Sequence, residues 1–184
     1  MTAFAERVKQ RRLQAGVGMI EVLIAIVVAA FALLGLAGLQ VSAMRYQKVS
    51  AAHGLASQYG AEMADRLRAN STASSVAGNP YVNVSDSYGA NTVPGKLCND
   101  PAVNVVPCTP NEVAVYDLYN WRVNLARGVP GGWGEVRGSP AAGYVVWVYY
   151  RVQDVDKNPA AKDGNCPSLG GATGVNCFAM VVFP

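Results

Sequence analysis

Hydrophobic positions fall into two regimes along this chain. From Val22 to Leu39 no residue is charged (VLIAIVVAAFALLGLAGL), and the run has no polar face. Those 18 residues make a helix of ~27 Å at ~1.5 Å per residue, close to the ~30 Å of a bilayer's hydrocarbon layer. From Gln40 to Arg68 the pattern turns amphipathic. Ala52, Leu55, Ala56, Tyr59, Met63 and Leu67 recur at three- and four-residue spacings, while Lys48, Gln58, Glu62, Asp65 and Arg66 lie mainly on other sides. One continuous helix of ~75–80 Å is predicted, closed at Asn70-Ser71-Thr72. Gly35 and Gly38 weaken it locally. They serve either a segment that stretches or close packing against another helix.

Beyond the helix, residues 71–112 are rich in Ser, Asn, Gly, Pro and Val and read as a long loop region, with a short strand at Tyr81-Val82-Asn83-Val84. Asn111 to Arg127 carries Tyr116, Leu118, Trp121 and Leu125 at helical spacing and is closed by Gly128 and Pro130. Trp121 is expected to anchor the core. Strands are predicted at Trp133–Val136, a short candidate, at Tyr144–Val152, the strongest and dense in β-branched and aromatic residues, and at Cys177–Phe183. Three or four antiparallel strands laid over the helix would bury its apolar face, an α+β arrangement.

Glu21 changes this picture. It is the only charge between Arg12 and Arg45, and a carboxylate at the mouth of a membrane-length segment costs about 2.5–3.5 kcal/mol to insert. One cut would account for it. Cleavage after Gly16 on the cytoplasmic side removes Arg7, Lys9, Arg11 and Arg12, frees the α-amine of Val17 and makes Glu21 the fifth residue. Where such helices pack side by side, the carboxylate of one meets the amine of its neighbour, and in low dielectric the pair sets the stagger of an assembly. A pair within one chain, four residues apart, is the alternative. Three plainer readings compete. An ordinary signal peptide would be cut after Val41-Ser42-Ala43, but its apolar region is normally 7–15 residues long. A simple single-span anchor leaves the glutamate without a purpose. A buried helix of a soluble protein fits poorly with a run this long and uniform.

A short basic leader, a glycine, four mostly apolar residues, a glutamate and an unbroken apolar helix together resemble the type IV prepilin (class III) signal. More closely, GVGMIEVLIAIVV, GLAGLQ and LASQYGAEMADRLRAN are similar to the PilV-type minor pilins of type IV pili, with a looser likeness in Asp117-Leu118-x-x-Trp121 and the following Pro-Gly-Gly. The resemblance implies a pilin-like fold, processing by a prepilin peptidase after Gly16, N-methylation of Val17, and an assembly role for Glu21. It divides the chain into a leader (1–16), an N-terminal helix (17–70, with about 17–40 transmembrane and 41–70 amphipathic) and a periplasmic head (71–184) with a variable loop at 71–112 and a C-terminal cysteine loop. The partners it implies are other minor pilins and the major pilin, reached through the N-terminal helix from the inner membrane. It further implies a place in an initiating or tip complex that promotes pilus assembly. Val17 departs from the Phe common at the first mature position. The related alternatives are a minor pseudopilin of a type II secretion system and a membrane-anchored adhesin or DNA-binding module.

Charge and cysteines refine these expectations. The formal net charge of +3 belongs to the leader: without its four basic residues and Glu6, 11 basic and 11 acidic residues remain. Overall charge therefore gives nucleic-acid binding no support. The leader's cations predict that this end faces the cytoplasm and that the rest is periplasmic, where disulfides persist. Cys98, Cys108, Cys166 and Cys177 all lie in that outer part. Four cysteines allow three connectivities, and short loops close most readily, which favours Cys98–Cys108 and Cys166–Cys177. The second pair would resemble the C-terminal disulfide loop of pilins.

Candidate chemistry is sparse. His53 is the only histidine and is expected to be a solvated helix residue; a Ser-His-acid set therefore has no base near the head. Asp154-x-Asp156-x-Asn158 begins like a calcium loop, but Pro159 stands where glycine is needed and Asn165 where a glutamate closes the set. No metal, cofactor or catalytic group is expected, and the chain reads as a structural protein rather than an enzyme.

Overall fold

In a computed structural model, residues 18–82, 87–99, 106–151, 166–167 and 175–183 are described. The elements are α1 (Met19–Ala69), α2 (Ser71–Ser74), α3 (Pro110–Gly128), β1 (Trp133–Ser139), β2 (Gly143–Tyr150) and β3 (Asn176–Val182). The chain divides into two units, Met1–Ala43 and Met44–Pro184, and α1 contributes to both. A long N-terminal apolar helix and a small antiparallel sheet make the fold α+β.

Within the second unit the sheet is three-stranded, in the order β1-β2-β3, with both pairings antiparallel. Register places Trp133 opposite Tyr149 and Tyr149 opposite Cys177; two residues on, Glu135 faces Trp147 and Trp147 faces Ala179. Alternation along the strands then sorts the side chains between two faces. Val136, Tyr144, Val146, Val148, Tyr150 and Val182 join Ala52, Ala56, Met63 and Leu67 of α1 and Leu118, Trp121 and Leu125 of α3 in the main core. Trp133, Tyr149, Cys166 and Val175, with Tyr88, Trp147 and Cys177 against them, form a smaller cluster on the other face.

The elements match the predicted ones with informative differences. The buried stripe of α1 is Ala52, Ala56, Gly60, Met63, Ala64 and Leu67. Leu55 is exposed and Tyr59 only partly buried. Gly60 makes room for a strand side chain: a methyl group there would lie 3.1 Å from the Phe178 ring. Trp121 is fully buried as expected, and its Nε1 donates to the Tyr59 carbonyl at 2.9 Å. Its ring occupies the space a side chain at Gly134 would need.

Helix α3 starts at Pro110, one residue before the predicted Asn111. Thr109 caps it: the hydroxyl accepts from the Glu112 N–H at 3.3 Å, and the Glu112 carboxylate accepts from the Thr109 N–H at 2.7 Å. This reciprocal box satisfies two otherwise orphaned donors, with proline at the first helical position. Tyr81 and Val82 are not a strand; Tyr81 is a fully buried core residue in a turn, and Asn83 and Val84 lie outside the described residues. Strand β1 runs three residues beyond Val136, and β2 ends at Tyr150, short of Val152.

Candidate functional site

The candidate site is the first half of α1. Gly18 precedes the helix, and its carbonyl accepts from the Glu21 N–H at 2.9 Å, so Glu21 lies in the first turn. A carboxylate there is favoured by the unpaired N–H groups and the positive end of the helix dipole. Glu21 shares one side of the helix with Ala25 and Ala29, bordered by Val22 and Ile26. Along that line, small side chains leave a shallow apolar furrow beside the acid.

Every residue from Gly18 to Lys48 is exposed. Ile20, Phe31 and Leu34 keep 72%, 69% and 70% of their surface. So much apolar area is unfavourable in water, at roughly 25 cal/mol per Å². The helix is long and apolar enough to cross a membrane. Gly16 and Val17, the predicted cleavage pair, lie outside the described residues.

The remaining predicted site residues are in the second unit. Cys98 is bonded to Cys108 and Cys166 to Cys177, the local connectivity. The first bridge closes the loop before α3. The second ties β3 to the cluster around Trp133 and Tyr149. All four cysteines are thus paired, and none is free. Asp154, Asp156 and Asn158 lie outside the described residues. Among the described residues no group of three or more His, Cys, Asp or Glu is placed to hold a metal ion.

His53 is exposed but not merely solvated. Its Nδ1 lies 3.1 Å from the Tyr150 hydroxyl, and its ring meets Phe178 edge-on at 5.6 Å. The imidazole bridges α1 to β2 and β3, a contact that a helical pattern alone does not reveal.

Two polar clusters in the second unit were not legible in the sequence. In the first, the Arg66 guanidinium donates to Glu62 at 2.6 Å and to Asp117 at 2.8 Å, and the Tyr81 hydroxyl donates to the other Asp117 oxygen at 2.8 Å. Burial pulls the Arg66 pKa down, but the hydrogen bonds and charges of the two carboxylates outweigh it and the net shift is upward. Burial, then the bond to Asp117, pushes the Tyr81 hydroxyl up. In the second cluster, Glu135 is 1% exposed, accepts from the Tyr149 hydroxyl at 2.6 Å and contacts Arg137 Nε at 2.8 Å. Tyr149 is likewise pushed up, by burial first and then by the bond to Glu135. The first cluster links α1 to α3 and to the turn at Tyr81, and the second links the paired strands β1 and β2. They act as internal fasteners, each charge paired where desolvation would otherwise be costly.

Comparison with family models, curated proteins and solved structures returns no match. The geometry therefore has to carry the functional reading alone. It offers one exposed apolar helix half with an acid at its tip, and a disulfide-closed head.

Proposed function

We propose that this chain is a minor pilin, a structural subunit of a type IV pilus. It enters the inner membrane as a prepilin with the leader inside and the head in the periplasm. A prepilin peptidase cuts after Gly16, Val17 is N-methylated, and the trimmed subunit joins an initiating or tip complex with other minor pilins ahead of the major subunit. The observation that carries this reading is Glu21 in the first turn of a 51-residue helix whose exposed apolar half holds no other charge.

In the bilayer that half is covered by lipid; in a fibre it is covered by the same half of neighbouring subunits. The carboxylate then gains the α-amine of an adjacent subunit, an ion pair strengthened by low dielectric and fixed in register by the helix-to-helix packing. The resulting fibre keeps the heads outside. Arrangement, not chemistry on a substrate, is the function.

Glu21→Ala tests the role of the acid. Leader removal is expected to proceed normally, because the cut lies five residues upstream, while recovery in sheared pili falls by tenfold or more. Such a loss corresponds to about 1.4 kcal/mol or more of assembly free energy. Incorporation equal to the unmodified protein contradicts the role given to Glu21.

A further inference from the structure

We propose that Arg45 and Lys48, with Tyr46 beside them, bind the phosphates of the outer-leaflet lipid headgroups and thereby fix the depth of α1; this rests on reading the helix as a membrane span. The uncharged stretch is longer than its most apolar core. Val22 to Met44 contains 23 residues without a charge, ~34 Å of helix, a good match to the hydrocarbon layer with a slight tilt. Arg45 and Lys48 are the first charges past it, three residues apart and so on neighbouring positions of the helix surface.

Both are exposed, and neither has a hydrogen bond or ion pair among the described residues. Between Glu21 and Glu62 the helix carries no carboxylate to neutralise them. Tyr46 keeps 60% of its surface, with an aromatic body and a polar tip of the kind that settles at the headgroup level. Two unpaired cations and an amphipathic ring at the end of a membrane-length apolar stretch are complementary to one chemistry, the phosphodiester layer. The guanidinium offers a planar fork to phosphate oxygens and the ammonium a point charge, each on a stem able to lie along the hydrocarbon boundary.

Removal of the leader sharpens the effect. Before the cut, Arg7, Lys9, Arg11 and Arg12 hold the inner end; afterwards Arg45 and Lys48 carry the first cationic side chains left in the chain. Without them, Met44 to Ala52 would present nine residues with no charge at all, and the helix is free to slide inward.

The test uses the full chain with both disulfides intact, spin-labelled through Ser42→Cys in vesicles of phosphatidylcholine and phosphatidylglycerol. Power saturation against oxygen and a nickel chelate reads the depth of the label. Adding Arg45→Ala and Lys48→Ala is expected to move the label inward by about one helical turn, ~5 Å, whereas Arg45→Lys with Lys48→Arg leaves it in place. An inserted helix whose depth is the same in the double-alanine variant overturns the phosphate contact alone. A label equally open to nickel in every variant means that the helix does not insert, and overturns the membrane reading together with this inference.

Discussion

Two fully buried groups in the head, Trp121 and Tyr149, make opposite demands on their surroundings. Trp121 needs space, and Gly134 supplies it by having no side chain. Gly134→Ala forces the indole or β1 to move and is expected to cost at least about 1–3 kcal/mol, read as a lower midpoint in urea with an unchanged slope. Tyr149 needs its proton, because its hydroxyl donates to the buried Glu135. Its pKa is raised on folding while the unfolded chain titrates near the usual value of about 10. The stabilisation is therefore complete below about pH 10 and is lost as pH rises beyond it, the unfolded state then binding fewer protons. Tyr81 carries the same sign. Urea unfolding between pH 8 and pH 11 should show stability falling above pH 10, with a shallower fall in Tyr149→Phe. Such a residue is hard to foresee from sequence. Glu135 looks like a surface acid until β1 and β2 pair and bring Tyr149 to it from 14 residues away.

At the scale of elements, the helices and strands were largely legible because their periods are strong. Trp121 and Leu125 in α3, and the aromatic and β-branched run of β2, announce themselves locally. Burial departs from the apolar pattern where residue size, not hydrophobicity, decides it. Gly60 and Ala64 are weak apolar signals, yet both are buried, and Leu55 is exposed. Tyr81 looked like part of a strand because Tyr-Val-Asn-Val alternates, but it is held in a turn: Asn79 Oδ1 accepts from its N–H at 3.1 Å and Asp117 takes its hydroxyl. The start of α3 is written in Thr109-Pro110-Asn111-Glu112, a capping box that precedes the helix's apolar spacing. Thr109→Ala should cost about 1 kcal/mol at neutral pH. The Glu112 carboxyl is held below its ordinary range by the Thr109 N–H first, then by the Thr109 side chain and Lys96. Its contribution is present above the unfolded carboxylate range and lost as pH falls through the lowered folded value. The cost of Thr109→Ala should accordingly shrink in acid, as chemical unfolding at pH 3 and pH 7 would reveal.

For the molecule as a whole, the two units present different surfaces. Residues 18–43 expose an apolar helix with one acid, and the unit from Met44 onward packs a core on each face of its sheet and is closed by two disulfides. The first is long and apolar enough to cross a membrane; under the proposed function lipid or other helices cover it and the second stands outside the membrane. In the sequence the uncharged run with Glu21 at its start sets the first surface apart, and all four cysteines lie beyond it. What α1 would meet in the proposed fibre is a property of neighbouring subunits and is not encoded in any one chain's contacts. The central claim is that the leader is removed at Gly16 and the apolar helix kept. Intact-mass and N-terminal peptide spectrometry of the protein from its native membrane tests this directly. A mature chain starting at N-methylated Val17 is predicted. A chain that retains residues 1–16, or one that begins near Met44 with the helix gone, contradicts it.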